Sequence, residues 1–306
     1  MNVSVVRVCP PAVMRAAIAL ALGLPAAVAL GEPVEKRAAA DPKGEVEIVN
    51  VAGSVRVMGW NRAEVDVRGE LDDEAERLDF ATEGTRTIIR VVLPRNRRDS
   101  SGSDLVVRIP EASALTVNTI SADQEIDGVK GAQRLQAVSG MIHSEVSGED
   151  FQAKTISGDV LVTGVSAAKA AMYTITTVSG DLTLAKISGE IDVETVSGDM
   201  SVEAGELSRA RVRTTNGDME VRTKLASNGR LDAETINGEV TLKILGTVDA
   251  EFDIHTFNGE IESCYGDEAV RSRERGPGHD LTFTRGSGSA RVRIKTLNGG
   301  VDLCGK

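Results

Sequence analysis

Apolar and polar residues alternate along most of this chain, and one short phrase interrupts the alternation at nearly even intervals. The phrase reads Thr, an apolar residue, Ser or Asn, Gly, usually an acid, then an apolar residue. It occurs as Thr155-Ile156-Ser157-Gly158-Asp159-Val160 and returns at 177–182, 195–200, 214–219, 235–240, 256–261 and 296–301. Its glycines, Gly158, Gly180, Gly198, Gly217, Gly238, Gly259 and Gly299, are separated by 22, 18, 19, 21, 21 and 40 residues, a period of about 20 with the last gap doubled. Such a period predicts an all-β chain, a single-domain β-solenoid of the parallel β-helix kind that grows by adding rungs to a stack.

Alternation within a rung, as in Ile191-Asp192-Val193-Glu194, sends apolar groups inward and charges outward. Gly accepts a tight corner, and Ser or Asn can satisfy the turn with its own side chain. Stacking would align Ile156, Val178, Val196, Thr215, Ile236, Phe257 and Leu297 as one buried file and Val160, Leu182, Met200, Met219, Val240, Ile261 and Val301 as another. Ser157, Ser179 and Ser197 would form a polar corner ladder continued by Asn216, Asn237, Asn258 and Asn298. A second corner falls half a rung away, at sites such as Ser147-Gly148, Ser188-Gly189 and Gly246-Thr247, so each rung has two strands. Weaker copies at Ile120-Ser121-Ala122-Asp123 and Val138-Ser139-Gly140 carry the period upstream.

The pattern divides the chain into residues 1–29, a linker at 30–43, a β-rich N-terminal cap region at 44–118, and regular repeats at 119–306. Within the cap region the period fades, although strand alternation persists. Asp72 to Leu78 is read as one helical turn.

The first 29 residues carry only Arg7 and Arg15 as charges, then an apolar run from Ala16 to Leu24 and the small-residue site Ala27-Val28-Ala29, the pattern of a cleaved secretory signal peptide. The run is short of the ~20 residues needed to span a bilayer, and no later segment is more apolar. The protein is therefore expected to be exported, to the periplasm or the cell surface, without a transmembrane segment. Removing those residues leaves 33 of the 35 Lys and Arg against all 46 Asp and Glu, a balance of −13. That excess of acid argues against nucleic acid as a partner, since phosphate binding rests on Lys and Arg. The basic clusters at 95–98 and 271–275 are read as solvated loops.

Export leaves Cys264 and Cys304, each six residues beyond its repeat's Asn and so at one phase of the rung. An oxidising compartment favours a disulfide between them. If the 40-residue gap held two full rungs they would be too far apart, because rungs lie ~4.8 Å apart and a disulfide needs Cα atoms within ~7 Å. The patternless segment at 265–279 favours a loop excursion instead.

These phrases, with the closing stretch from Gly276-Pro277-Gly278 to Leu297-Asn298-Gly299, resemble the bacterial adhesin-like family known as domain of unknown function 4097. The resemblance covers about residues 45–303. It implies an exported β-solenoid with an adhesin-like role, and it carries no catalytic or binding residues to this chain.

Little in the composition suggests catalysis. The three His, His143, His255 and His279, lack metal-ligand spacing, and Ser166-Ala167-Ala168-Lys169 matches a Ser-x-x-Lys pattern without its companion motifs. Aromatic residues make up 3% of the chain, too few for a dedicated glycan platform, and Trp60 is read as a packing residue of the cap. Asp159, Asp181, Asp199, Asp218, Glu239 and Glu260 would stack in register. A row of this kind must face water or share a cation, for which calcium is the natural choice. The Gly-Gly-x-Gly-x-Asp calcium repeat is absent, so a solvated acidic edge is preferred and no cofactor is expected.

The expected function is accordingly a non-catalytic, adhesin-like interaction or structural module of the cell envelope, monomeric or paired by its edges, with an envelope protein or glycan as partner. The alternatives are a polysaccharide lyase or hydrolase on a β-helix and a calcium-stabilised glycan-binding adhesin.

Overall fold

A computed structural model describes residues 32–94, 102–165, 170–266, 268–271 and 277–304. The signal-peptide segment, the Ser166 to Lys169 motif, the basic run at 95–98 and most of that at 271–275 lie outside the described residues. Those described form strands and turns with no helix among them.

The chain is a β-solenoid. First strands of successive rungs pair in parallel, so that Phe151, Tyr173, Ile191, Ala210 and Leu231 lie one above the next. Second strands do the same through Ile142, Val160, Leu182, Met200, Met219 and Val240. Between the two strands, isolated parallel bridges join Ser139, Ser157, Ser179, Ser197, Asn216 and Asn237 across the corner. Every second side chain therefore enters a long narrow core, where Ile175, Val193, Val212 and Ala233 face Val162, Leu184, Val202, Val221 and Leu242, all buried. Burial of each aliphatic side chain contributes about 1.5–3 kcal/mol, repeated at every rung.

The second corner is softer than the first. Strands such as Leu182–Glu194 and Met200–Arg213 run through it without a break, and the ladder slips register between Ala185 and Glu190. Lys186 and Asn228 adopt positive φ there.

Both ends depart from chain order. At the N-terminus, Glu45–Trp60 is a full rung that pairs in parallel with Ala114–Asp127 on one side and with Arg86–Val92 and Ser103–Pro110 on the other. The chain thus builds its outermost rung after the one beneath it. Antiparallel strands finish this end, with Arg77–Glu83 on Arg86–Val92, Glu64–Leu71 on Ser103–Pro110, and Glu32–Ala39 on Glu64–Leu71. The segment read as a linker therefore contains a paired strand. Residues 72–76 form a turn and not a helical turn, because the Asp72 carboxylate accepts the N–H of Glu74 and, across the cap, that of Gly102. The boundary drawn at 118/119 falls inside Ala114–Asp127.

At the C-terminus, Ala290–Asn298 lies between residues 230–237 and Ala250–Asn258, parallel to both. Leu231, Val292 and Phe252 are consecutive in space although 292 follows 252 in sequence. The doubled spacing comes from an excursion, in which His279–Arg285 runs antiparallel along the outside of Ala250–Asn258 before the chain returns to fill the gap. Cys264 and Cys304 end neighbouring rungs and form a disulfide, with Cα atoms 5.9 Å apart.

One expected file is corrected. Val160 and its equivalents point inward, with Ile261 half-buried, but Ile156, Val178, Val196, Ile236, Phe257 and Leu297 face solvent. The residues that point inward just before them are Thr155, Thr177, Thr195, Thr214, Thr235, Thr256 and Thr296. Phe151, Ala153 and Thr155 set the inward phase on the first strand, and Val160 and Val162 set it on the second. Thr155 and Val160 are five apart, so the alternation must slip at the corner, and the slip places two consecutive residues outside.

Candidate functional site

The corner explains each letter of the repeated phrase. The rung turns at a glycine that the neighbouring rung approaches through its backbone. At Gly198 φ is +139°, and a Cβ would lie 2.1 Å from the carbonyl oxygen of Gly180, so both conformation and contact exclude a side chain. The next residue leaves its N–H without a strand partner. Asp159 Oδ1 accepts the N–H of Asp181 at 2.9 Å, Asp181 that of Asp199 at 2.9 Å, Asp199 that of Asp218 at 2.8 Å, and Asp218 that of Glu239 at 2.8 Å. The acidic row is thus a chain of side-chain caps, each carboxylate binding the backbone of the next rung. Among the described residues no group of three His, Cys, Asp or Glu could hold a metal ion.

The Ser and Asn ladder runs alongside. Asn237 donates to Asn216 at 2.7 Å, Asn298 to Asn237 at 2.8 Å and Asn258 to Asn298 at 2.9 Å, tracing the inserted order of the last rungs. Ser157, Ser179 and Ser197 hold the same place upstream, exposed or half-buried, their backbones bridged in parallel.

Beside this ladder lies the feature that the alternation did not foretell. Ile120, Val138, Ile156, Val178, Val196, Ile236, Leu297 and Phe257 project from the corner with 43–51% of their surface exposed, and only half-buried Thr215 interrupts them. Nine consecutive rungs at ~4.8 Å make this an apolar ridge about 38 Å long. Eight side chains about half exposed present roughly 600 Å², at the upper end of what a monomer leaves in one patch. The signal for it was available in the five-residue interval from Thr155 to Val160, which no period-2 pattern can span with both ends inside.

The ridge has unlike flanks. Towards the second strand lies the acidic row. Towards the first strand, Lys154, Glu194, Arg213, Glu234 and Lys295 mix both signs, with Arg213 and Glu234 paired at 3.5 Å. A shallow groove at this foot is lined by Thr195, Thr214, Thr235, Thr296, Ile236 and Leu297.

The remaining candidates are scattered. His255 bonds Asp280, His279 Nδ1 lies 2.8 Å from the carbonyl oxygen of Gly259, and His143 sits on the outer face near the other end. The Trp60 indole N–H donates to the carbonyl of Glu64 at 2.8 Å, while Arg62 and Arg108 lie 5.0 and 5.9 Å from the ring centre, so neighbouring side chains occupy its surroundings. Glu64 and Glu111 beside it pair with Arg62 and Lys130.

Three comparisons bear on this architecture. No curated protein matches the sequence. Among solved structures, a "putative adhesin" from Parabacteroides distasonis ATCC 8503 is similar at 12% identity, covering 89% of this chain and 98% of its own, with a TM-score of 0.49. Another "putative adhesin", from Bacteroides fragilis NCTC 9343, matches at 10% identity over 89% and 97% with a TM-score of 0.42. A "putative lipid binding protein" from Parabacteroides distasonis ATCC 8503 matches at 14% identity over 89% and 97%, with a TM-score of 0.34. The model of the Toastrack DUF4097 family matches residues 45–304, the whole of the stack described above, and the chain belongs to that family.

Proposed function

We propose that this protein is an exported, non-catalytic interaction module of the cell envelope, adhesin-like in role, that engages its partner along the corner ridge. The observation that carries the reading is the ridge itself, eight half-exposed apolar side chains in one row that only Thr215 interrupts. Water-exposed apolar surface of that extent is unfavourable unless something covers it in use. Export rests on the leader pattern of residues 1–29, and the two cysteines left after its removal are disulfide-bonded. The module needs no cofactor in this reading, because backbone N–H groups already engage the acidic row.

Binding along a repeated face requires no residue that breaks the repeat, which accords with a ridge built from one phrase. A hydrolase or lyase would need a cleft where acid, base and sugar platform converge. The His side chains are dispersed, and Trp60 already has Arg62 and Arg108 near its ring.

A photo-crosslinking amino acid placed at Val178, and separately at exposed Ser201 on the second-strand face, tests this in intact cells. The expected result is discrete adducts from position 178 and none from 201. Equal patterns from both, or adducts only from 201, would remove the ridge from the function.

A further inference from the structure

We infer that the ridge receives a basic amphipathic helix, one whose apolar stripe is bordered by Lys or Arg. This rests on the reading of the ridge as the contact face and adds the chemistry of its occupant.

Spacing along the ridge favours a helix. The ridge offers an apolar side chain about every 4.8 Å along the stack. A helix lying along it presents one about every 5.4 Å, once per turn. An extended segment presents one about every 6.8 Å. The helix drifts by about 0.6 Å per step, whereas the strand is out by about 2.0 Å, nearly half a rung, after one step. Backbone pairing cannot compensate for the strand, because the corner's own backbone is spent. Ser157 N–H bonds the carbonyl of Val138 and Gly158 N–H that of Ser179, and the same holds rung after rung.

Charge beside the ridge favours a basic occupant. Asp159, Asp181, Asp199, Asp218 and Glu239 form a continuous anionic rail parallel to the ridge. In each aspartate one oxygen binds the following rung. A carboxylate has four acceptor sites, so the rail keeps capacity for an incoming cation. The opposite flank is mixed in sign and discriminates little. A helix with Lys or Arg along one border of its stripe matches both flanks. A second copy of this chain, at −11 overall and −13 without residues 1–29, or an anionic lipid surface does not.

The probe is a fluorescent 21-residue peptide of leucine and lysine, with leucines at i, i+3, i+4 and i+7, titrated into the full exported chain at physiological salt. Saturable one-to-one binding with a rise in peptide helicity is expected. The double variant Val178→Thr, Val196→Thr should bind at least tenfold more weakly. Thr215 already occupies the equivalent position, so the variant is compatible with the fold. If its melting midpoint nevertheless falls, Ile236→Thr is read in the same way. A peptide of identical composition in strictly alternating order should also bind at least tenfold more weakly, and Asp199→Asn with Asp218→Asn should flatten the salt dependence.

Undiminished binding by the threonine variants, or equal binding by the alternating peptide, would reduce the interaction to net charge and overturn the inference. So would a dimer of the chain alone, or adsorption to phosphatidylcholine vesicles, that the threonine variants abolish. Crosslinks at position 178 in cells combined with failure of the peptide would reject only the occupant and leave the docking face standing.

Discussion

Asp181 shows what the corner demands of a side chain. Its Oδ1 caps the N–H of Asp199 across the rung boundary, a role that depends on reach and acceptor and not on charge. Asp181→Asn should therefore leave the melting midpoint nearly unchanged, while Asp181→Ala strands a backbone donor and should destabilise by about 1–3 kcal/mol in denaturant titration. The buried threonines divide in a similar way. Thr256 donates to the carbonyl of Gly299 at 2.9 Å, but the hydroxyls of Thr155, Thr214 and Thr235 have no partner. Replacing Thr214 with Val removes an unsatisfied group at constant shape and should be neutral or stabilising by up to about 1 kcal/mol, whereas Thr256→Val should destabilise by a similar amount. At this scale the glycine spacing made the corner legible in the sequence. The identity of the inward residue was not legible, because hydrophobicity nominates Ile156 over Thr155, and only the phase set by Phe151 and Ala153 decides between them. The acidic row looked like a charge problem because its backbone partners lie 18 to 22 residues away.

At the scale of elements, the informative strand is Ala290–Asn298. It closes the stack from within, so a truncation at 289 removes an internal rung and leaves Leu231 and Phe252 facing a gap. Such a truncation should unfold the C-terminal third, read as loss of amide protection over residues 229–262, where a solenoid built in chain order would lose only its last rung. The Cys264–Cys304 bond holds this insertion. A closed loop of about 40 residues is worth about 4 kcal/mol in the chain-entropy account, and Cys264→Ser with Cys304→Ser should lower stability by that order. The inserted order could not be read from the sequence, since neighbouring rungs carry the same phrase and any one of them pairs equally well with any other. The N-terminal cap was obscured for a different reason. It mixes parallel rungs with antiparallel strands at irregular spacing, and Glu32–Ala39 is polar enough to pass for a linker. Its stability depends in part on Asp66, whose side chain is almost fully buried between Arg37 and Arg68. Burial alone would raise its pKa, but the hydrogen bond and charge of Arg37, with Arg68 and Arg108, hold it below the ordinary carboxylate value. A carboxyl depressed in this way contributes stability above its unfolded pKa of ~3.9 and loses it as pH falls through the lower folded value. The melting midpoint of Asp66→Asn should accordingly fall less steeply with falling pH below about pH 4 than that of the parent chain.

Over the whole molecule, the design is a narrow core with two kinds of boundary. The ends are closed by antiparallel strands that turn the stack away from further growth, consistent with the need to protect exposed edges. The sides are monotonous, and among the described residues the corner ridge is the one long face where the repeat places apolar groups outside. The proposed contact face exists because of that placement, so it depends on the orientation of the corner. Thiol labelling in the folded state tests it most directly, using single substitutions Thr195→Cys and Val196→Cys in a chain that retains its native disulfide. A maleimide should label position 196 at nearly the rate of an unfolded peptide and position 195 at least a hundredfold more slowly. Rapid labelling at 195 with protection at 196 would put the valine row inside the core and remove the ridge.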